Sequence, residues 1–225
     1  MKIAVICAMQ DEIKLLAKKM QDVVTATECG VAVTRGRMGK HEVNLCIGGI
    51  GTANAAAATQ YNISQFGCDA ILNIGLAGNC SHLPLGGAVV ADRLVYHDFE
   101  MRIAAIDPPH AEFFTPDEGL SACAARALDR LGRPWIRGTV ATGDQFISDN
   151  AVKADIVART GCVCVEMEGA AVAHIAQKNG MPFAEIKVMS DNADECADDQ
   201  FDKTISLGGY CEESSEIIRT ILELL

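Results

Sequence analysis

The sequence predicts an α/β fold: a three-layer α/β/α sandwich around a central mixed, largely parallel sheet, in a single domain spanning residues 1–225. Three observations predict it. Apolar runs of strand length recur along the chain, helical patterns fall between most of them, and several runs are continuously apolar. Continuous apolarity marks strands covered on both faces, and strand–helix alternation marks parallel pairing through crossovers.

The elements follow in order. Strands are expected at KIAVICA (2–8), EVNLCIG (42–48), DAILNIG (69–75), GAVVADRLVY (87–96), IRGTVATGD (136–144), CVCVEME (162–168) and FAEIKVMSD (183–191). Helices are expected at Gln10–Met20, Thr52–Gln65, Pro116–Leu131, Gly169–Asn179 and from about Thr204 to Leu225. The acidic stretch Asp194–Asp202 reads as a solvated loop. A chain of 225 residues is long enough to bury most of its apolar surface in one core.

Composition narrows the function. Nearly half the residues are apolar and 22% are charged, as in soluble globular proteins. No apolar run spans a bilayer, and Met1-Lys2 leads directly into a short apolar run that ends at acidic Asp11 and Glu12, unlike a signal peptide. The expected location is cytoplasmic, with no membrane partner. Ten cysteines scattered through strands and helices are expected to be reduced. Cys162 and Cys164 are spaced CxC, unlike the CxxC pairs of metal sites, and no metal site is expected. A net charge of −11 without a basic cluster argues against nucleic acid and leaves a small, neutral or cationic ligand.

In open α/β sheets ligands collect at the C-terminal ends of strands. The residues there are Met9 and Glu12, Gly49-Ile50-Gly51, Leu76-Ala77-Gly78, His97-Asp98, Gln145-Phe146, Glu166 and Glu168, and Ser190-Asp191. Carboxylates dominate. An unpaired buried carboxylate costs several kcal/mol or forces its pKa upward, so Glu166 and Glu168 at a strand–helix junction call for partners that offset the cost. No GxSxG occurs, which argues against acyl chemistry through a nucleophile elbow. GGIGTANAA (48–56) follows a strand and opens a helix, but Asn54 stands where a dinucleotide fingerprint has its third glycine, and Asp69 precedes the next strand. No nucleotide cofactor is expected. The turn instead brings backbone close to a small ligand.

Two carboxylates in unlike environments can supply an acid for a leaving group and a base for water, the needs of glycosidic cleavage. Asp191 would need its pKa raised well above ~3.9 to carry a proton near neutrality. Taken alone, Asp191 also reads as a turn or N-cap residue, Glu12 as a first-turn glutamate, and Met9 and Met167 as core.

The motifs ICAMQDE (6–12), GIGTANAA (49–56), NIGLAG (73–78), TGDQFI (142–147), VEMEGAAVAH (165–174) and MSDNAD (189–194) occur in that order. Together they resemble the nucleoside phosphorylase and nucleosidase superfamily, and within it the 5′-methylthioadenosine/S-adenosylhomocysteine nucleosidases, over residues 1 to about 209. The resemblance implies a nucleoside phosphorylase-like fold and hydrolysis of a purine N-glycosidic bond, releasing adenine, without a metal or redox cofactor. It implies that Glu12 positions or deprotonates water and that Asp191, helped by Ser190, protonates N7 of the leaving base. Glu168 would hold the ribose hydroxyls with Met167 against the sugar, and Phe146 with the backbone of Ile147 would hold adenine. Met9, Ile50, Leu76, Ala77, Gly78, Glu166, Lys187 and Phe201 complete the expected substrate-binding set, and a homodimer is implied, the segment 99–114 lying at the 5′ pocket.

The chain departs from that pattern at three places. Leu76 stands where those nucleosidases carry a serine, with Asn79 following. Lys187 stands for an arginine before the Ser-Asp pair, keeping charge but not the bidentate fork. The segment 99–114 does not match the usual 5′-pocket loop. One alternative is a phosphorolytic relative, against which AMQDE offers acids where phosphorylases place an arginine. Another is a non-catalytic relative such as the plant storage proteins of this fold, against which stands the retention of three acids that are costly to bury.

Overall fold

The computed structural model describes the backbone of residues 1–12 and 14–225, and the side chains of these except at positions 11, 14, 207, 209 and 211. Among the described residues a nine-stranded sheet runs β2-β3-β4-β1-β5-β8-β7-β6-β9. The strands are β1 (Lys2–Cys7), β2 (Gln21–Glu28), β3 (Val31–Met38), β4 (His41–Ile47), β5 (Ala70–Asn79), β6 (Ala88–Tyr96), β7 (Trp135–Thr142), β8 (Cys164–Glu166) and β9 (Phe183–Asp191). The helices are α1 (Lys14–Ala17), α2 (Thr52–Tyr61), α3 (Met101–Ala104), α4 (Glu118–Arg130), α5 (Asn150–Thr160), α6 (Gly169–Lys178), α7 (Ala197–Leu207) and α8 (Gly209–Leu224).

The mixed α/β architecture is the expected one. In β1, Ile3, Val5 and Cys7 join a core with Leu16, Leu120 and Ile218 of α1, α4 and α8. Ala4 and Ile6 face the opposite way, into a second core with Ala55 of α2 and Ala173 of α6. The period-2 alternation of a strand thus feeds two helical layers from one central sheet. Cys162 and Cys164, two residues apart, would share a face within one strand; they part because Cys162 precedes β8 and packs beside Ile156 of α5, while Cys164 lies in the α2/α6 core.

β1 pairs in parallel with β4 and β5, β5 with β9, β6 with β7, and β7 with β8. The remaining pairings, β2/β3, β3/β4, β5/β8 and β6/β9, are antiparallel. Because β5 pairs with both β8 and β9, the strands β5-β8-β7-β6-β9 close on themselves. That closure brings the ends of β5, β8 and β9 to one place.

Several elements differ from expectation. β2 and β3 fall where no strand is expected. β2 is an edge strand, mostly exposed, with Val23 and Val24 facing outward, so it shows no apolar run. The helix expected at Gln10–Met20 is a 3₁₀ turn at Gln10–Glu12 followed by the single turn of α1, with residue 13 outside the description. α5 buries only Ile156, which leaves no apolar stripe to read, but it is capped by Asp149 Oδ1, which accepts from the amides of Ala151 and Val152 at 2.8 and 2.9 Å. The acidic stretch expected as loop contains the first turn of α7, where Asp198 and Asp199 complement the helix dipole. The single helix expected from about Thr204 is two, broken at Gly208.

Candidate active site

A cavity of about 240 Å³ opens at the C-terminal ends of β1, β4, β5, β7, β8 and β9. Met9 and Glu12 reach it from the turn after β1, Ile50 from the turn after β4, and Leu76, Ala77 and Gly78 from the last residues of β5. Gln145, Phe146 and Ile147 follow β7, while Val165, Glu166, Met167 and Glu168 come from β8 and the turn into α6. Ser190 and Asp191 end β9, and Phe201 of α7 closes the far side, its ring meeting Phe146 edge-on at 5.6 Å between centroids. Four carboxylates therefore share a wall with apolar and aromatic side chains, and no arginine or lysine lines it among the described residues.

Each acid has a different environment. Glu12 is buried, and its carboxylate accepts from the Met9 amide at 2.9 Å and the Leu76 amide at 3.1 Å. Burial nevertheless wins and raises its pKa. Gly75 makes room for it: a Cβ there would lie 2.9 Å from Glu12 Oε1 and 3.3 Å from Lys187 Nζ.

Glu166 is the anchored anion. Its Oε2 lies 2.7 Å from Lys187 Nζ and accepts from the amides of Glu168 and Gly169 at 2.9 and 2.7 Å, while Thr142 Oγ1 donates to its Oε1. Burial pushes its pKa up, but Lys187, the Thr142 hydroxyl and the amides outweigh it and hold the carboxyl below its ordinary value. Glu168 accepts from the Gly51 amide at 2.9 Å through Oε1 and is 3.9 Å from Lys187 Nζ. Burial, opposed by Lys187 but reinforced by Glu166, pushes its pKa up to about 7.

Asp191 accepts from Ser190 Oγ at 2.7 Å and from the Ala193 amide at 2.8 Å. Burial raises its pKa despite both bonds, and Asp194 and Asp198 add to the rise. Thr204 of α7 donates to the Ser190 carbonyl at 3.0 Å, tying α7 to the end of β9.

All the expected site residues lie on the cavity wall except Lys187, which needs correction. Its ammonium is buried beneath the wall, bonded to Glu166 and 3.9 Å from both Glu168 and Glu185. A strand residue whose side chain points into the α2/α6 core holds the acids from behind and does not face the cavity. His97, grouped with the strand-end residues, is also off the wall. It is buried against Gly143, where a Cβ would lie 2.4 Å from its Nε2.

Sequence reading missed Thr142 and Glu185, and it placed the Gly51 turn at the site without its amide's bond to Glu168. Glu185 had a signal, a glutamate inside an otherwise apolar strand. It is buried with neither carboxylate oxygen hydrogen-bonded, Lys187 Nζ standing 3.9 Å off, and burial drives its pKa well above normal although Lys187 opposes the rise. It fits only because position 169 is glycine, since a Cβ there would sit 2.1 Å from Glu185 Oε2.

The fold and this acid-lined cavity define a member of the phosphorylase superfamily, to which the chain belongs: the model of that family matches residues 2–223. Within the superfamily the chain is 32% identical over 232 residues to the 5′-methylthioadenosine/S-adenosylhomocysteine nucleosidase of Bacillus anthracis, covering all of both proteins. It is also similar to the 5′-methylthioadenosine/S-adenosylhomocysteine nucleosidase of Neisseria meningitidis solved with methylthio-immucillin-A, at a TM-score of 0.93 and 31% identity, covering 100% of this chain and 99% of that one. The futalosine hydrolase of Helicobacter pylori strain 26695 superposes at a TM-score of 0.92 and 29% identity, covering 100% of this chain and 98% of that one.

Proposed function

We infer that this chain hydrolyses the N-glycosidic bond of a 5′-substituted adenosine, such as 5′-methylthioadenosine or S-adenosylhomocysteine, releasing adenine and the sugar. The observation that carries the reading is the meeting of Glu12, Glu168 and Asp191 on one wall, in three different settings. Leaving-group protonation needs an acid with a raised pKa, and Asp191 has one, set beside a hydroxyl. Water activation needs a carboxylate fixed toward the sugar, and Glu12 is held by two amides. Glu168 accepts ribose hydroxyls, Met167 packs against the sugar, and Phe146 with the Ile147 backbone receives the base.

Water, not phosphate, is the acceptor in this reading. A phosphate subsite needs cations on the wall; among the described residues no lysine or arginine lines it, and Lys187 behind it is buried and committed to Glu166. The similarity to a futalosine hydrolase keeps larger 5′ groups within the substrate class. The reaction would serve methionine salvage in the cytoplasm. No helix among the described residues is long and apolar enough to cross a membrane. A homodimer is part of the proposal. Phe99, Ile103, Ile106 and Phe113 are exposed large apolar side chains in one segment beside the sheet end, the kind of patch a second subunit covers.

The test is incubation with a panel of nucleosides in buffer with and without phosphate, with product analysis. Free adenine and free sugar in phosphate-free buffer are expected. A strict need for phosphate, with a sugar 1-phosphate as product, would overturn the hydrolytic reading.

A further inference from the structure

The N-terminus of α2 is capped from a distance. Its N-cap residue is Gly51, which has no side chain to satisfy the first-turn amides. Asp144, in the turn after β7, takes that place: its Oδ1 accepts from the Thr52 amide at 2.7 Å and its Oδ2 from Thr52 Oγ1 at 2.6 Å. Asp144 is itself braced, its amide donating to Asp98 Oδ2 at 2.7 Å. A carboxylate at a helix N-terminus also meets the positive end of the dipole.

Gly51 is bent to suit. Its φ of 99° and ψ of 160° are closed to residues with a Cβ, and this conformation points the Gly51 amide at Glu168 Oε1 while the next amide, that of Thr52, points at Asp144. One glycine thus divides two adjacent donors between the active site and a clamp outside it. Glycine takes this conformation at little cost, so the contacts around it decide whether it is held there, and Asp144 supplies both of those made to Thr52 outside the site.

We propose that Asp144 is a positioning residue for the reaction: by clamping Thr52 it holds Gly51 in the conformation that donates to Glu168. The inference rests on the reading of Glu168 as the ribose-binding carboxylate. The Gly51 hydrogen bond favours the charged form of Glu168. The other charged and titratable groups facing Glu168 are Lys187 and Glu185 of β9, Glu166 of β8, Glu12 after β1 and Cys7 of β1. None of these touches Asp144, so a change made at position 144 reaches Glu168 through Gly51.

The experiment compares wild type with Asp144→Ala and Asp144→Asn. In the wild type the Gly51 amide resonance should follow the titration of Glu168, and the Thr52 amide should be protected from hydrogen exchange. In Asp144→Ala, Thr52 exchange should quicken by about tenfold or more, and the Gly51 resonance should no longer follow Glu168. KM should rise about tenfold with a smaller change in kcat. Because a lost donor raises the Glu168 pKa, the acid limb of kcat/KM should move to higher pH. Asp144→Asn keeps an acceptor for the Thr52 amide and should restore most of the protection. A quickened Thr52 exchange with the Gly51 titration and the acid limb both unmoved would overturn the proposal, leaving Asp144 a helix cap only, and an unchanged exchange rate would also overturn it. If the wild type cleaved no nucleoside at all, the functional reading would fail, while the two amide measurements would still decide the clamp.

Discussion

The ammonium of Lys187 lies 2.7 Å from Oε2 of Glu166, with both side chains 1% exposed, beneath the floor of the cavity. Lys187 Nζ is also 3.9 Å from Glu168 and from Glu185, so one cation serves three carboxylates. A buried pair adds little net stability over an apolar replacement, but removing one partner strands a charge. Lys187→Met should therefore destabilise the protein by about 3–5 kcal/mol at neutral pH. Lys187→Met with Glu166→Gln should recover a large part of that loss. Chemical denaturation of the single and double variants measures the coupling, and simple additivity would show that the pair is not energetically joined.

Asp191→Asn keeps the shape of the side chain and removes the ionisable proton. Turnover should fall by about 10²–10⁴-fold, the typical worth of a positioned general acid, with thermal unfolding close to wild type. Glu12→Gln should act similarly, since its carboxylate is held by two backbone amides at a site where only charge and proton affinity change. Full activity in either variant would remove that residue from the chemistry.

Glu185 makes stability depend on pH in a defined direction. Its folded pKa is raised above the ordinary 4.5, so the folded state holds a proton that the unfolded chain releases between that value and the raised one. The contribution is fully favourable below about pH 4.5 and is lost as pH rises through that window. Glu185→Gln removes the linkage. Its stability relative to wild type should rise from pH 5 toward pH 8, and the difference should be smallest at the acid end. Gly169→Ala tests the same packing, because the new methyl would collide with the Glu185 carboxylate. It should cost about 1–3 kcal/mol as overpacking, and Glu185→Ala should relieve it.

Much of this was legible in the sequence because the signals were local. Continuous apolar runs at residues 2–8, 69–75 and 183–191 mark central strands, and the acids after them sit at strand ends, where the cavity lies. β2 and α5 were hidden because an exposed edge strand and a helix burying one isoleucine carry no apolar period. The direction of Lys187 was misread for a different reason. Strand alternation places it on the same side as Glu185, facing the α2/α6 core, but the sequence does not show that three acids gather there around one counter-ion. The clamp between Asp144 and Thr52 joins positions 92 residues apart and has no local signature.

The final prediction concerns Leu76, which lines the cavity while its amide donates to Glu12. The backbone bond to Glu12 does not depend on the side chain, so Leu76→Ser should leave water activation nearly intact. What changes is the wall, since a leucine presents apolar surface to whatever lies beside the sugar and a serine presents a hydroxyl. If Leu76 selects the 5′ substituent, Leu76→Ser should alter the ratio of kcat/KM values for 5′-methylthioadenosine and for S-adenosylhomocysteine. A methylene-sized change in apolar contact is worth about 1–3 kcal/mol, so the ratio should shift by roughly tenfold or more. Parallel losses on both substrates would place the effect of Leu76 on the reaction common to them, and selection at the 5′ end would then have to come from other residues of the wall.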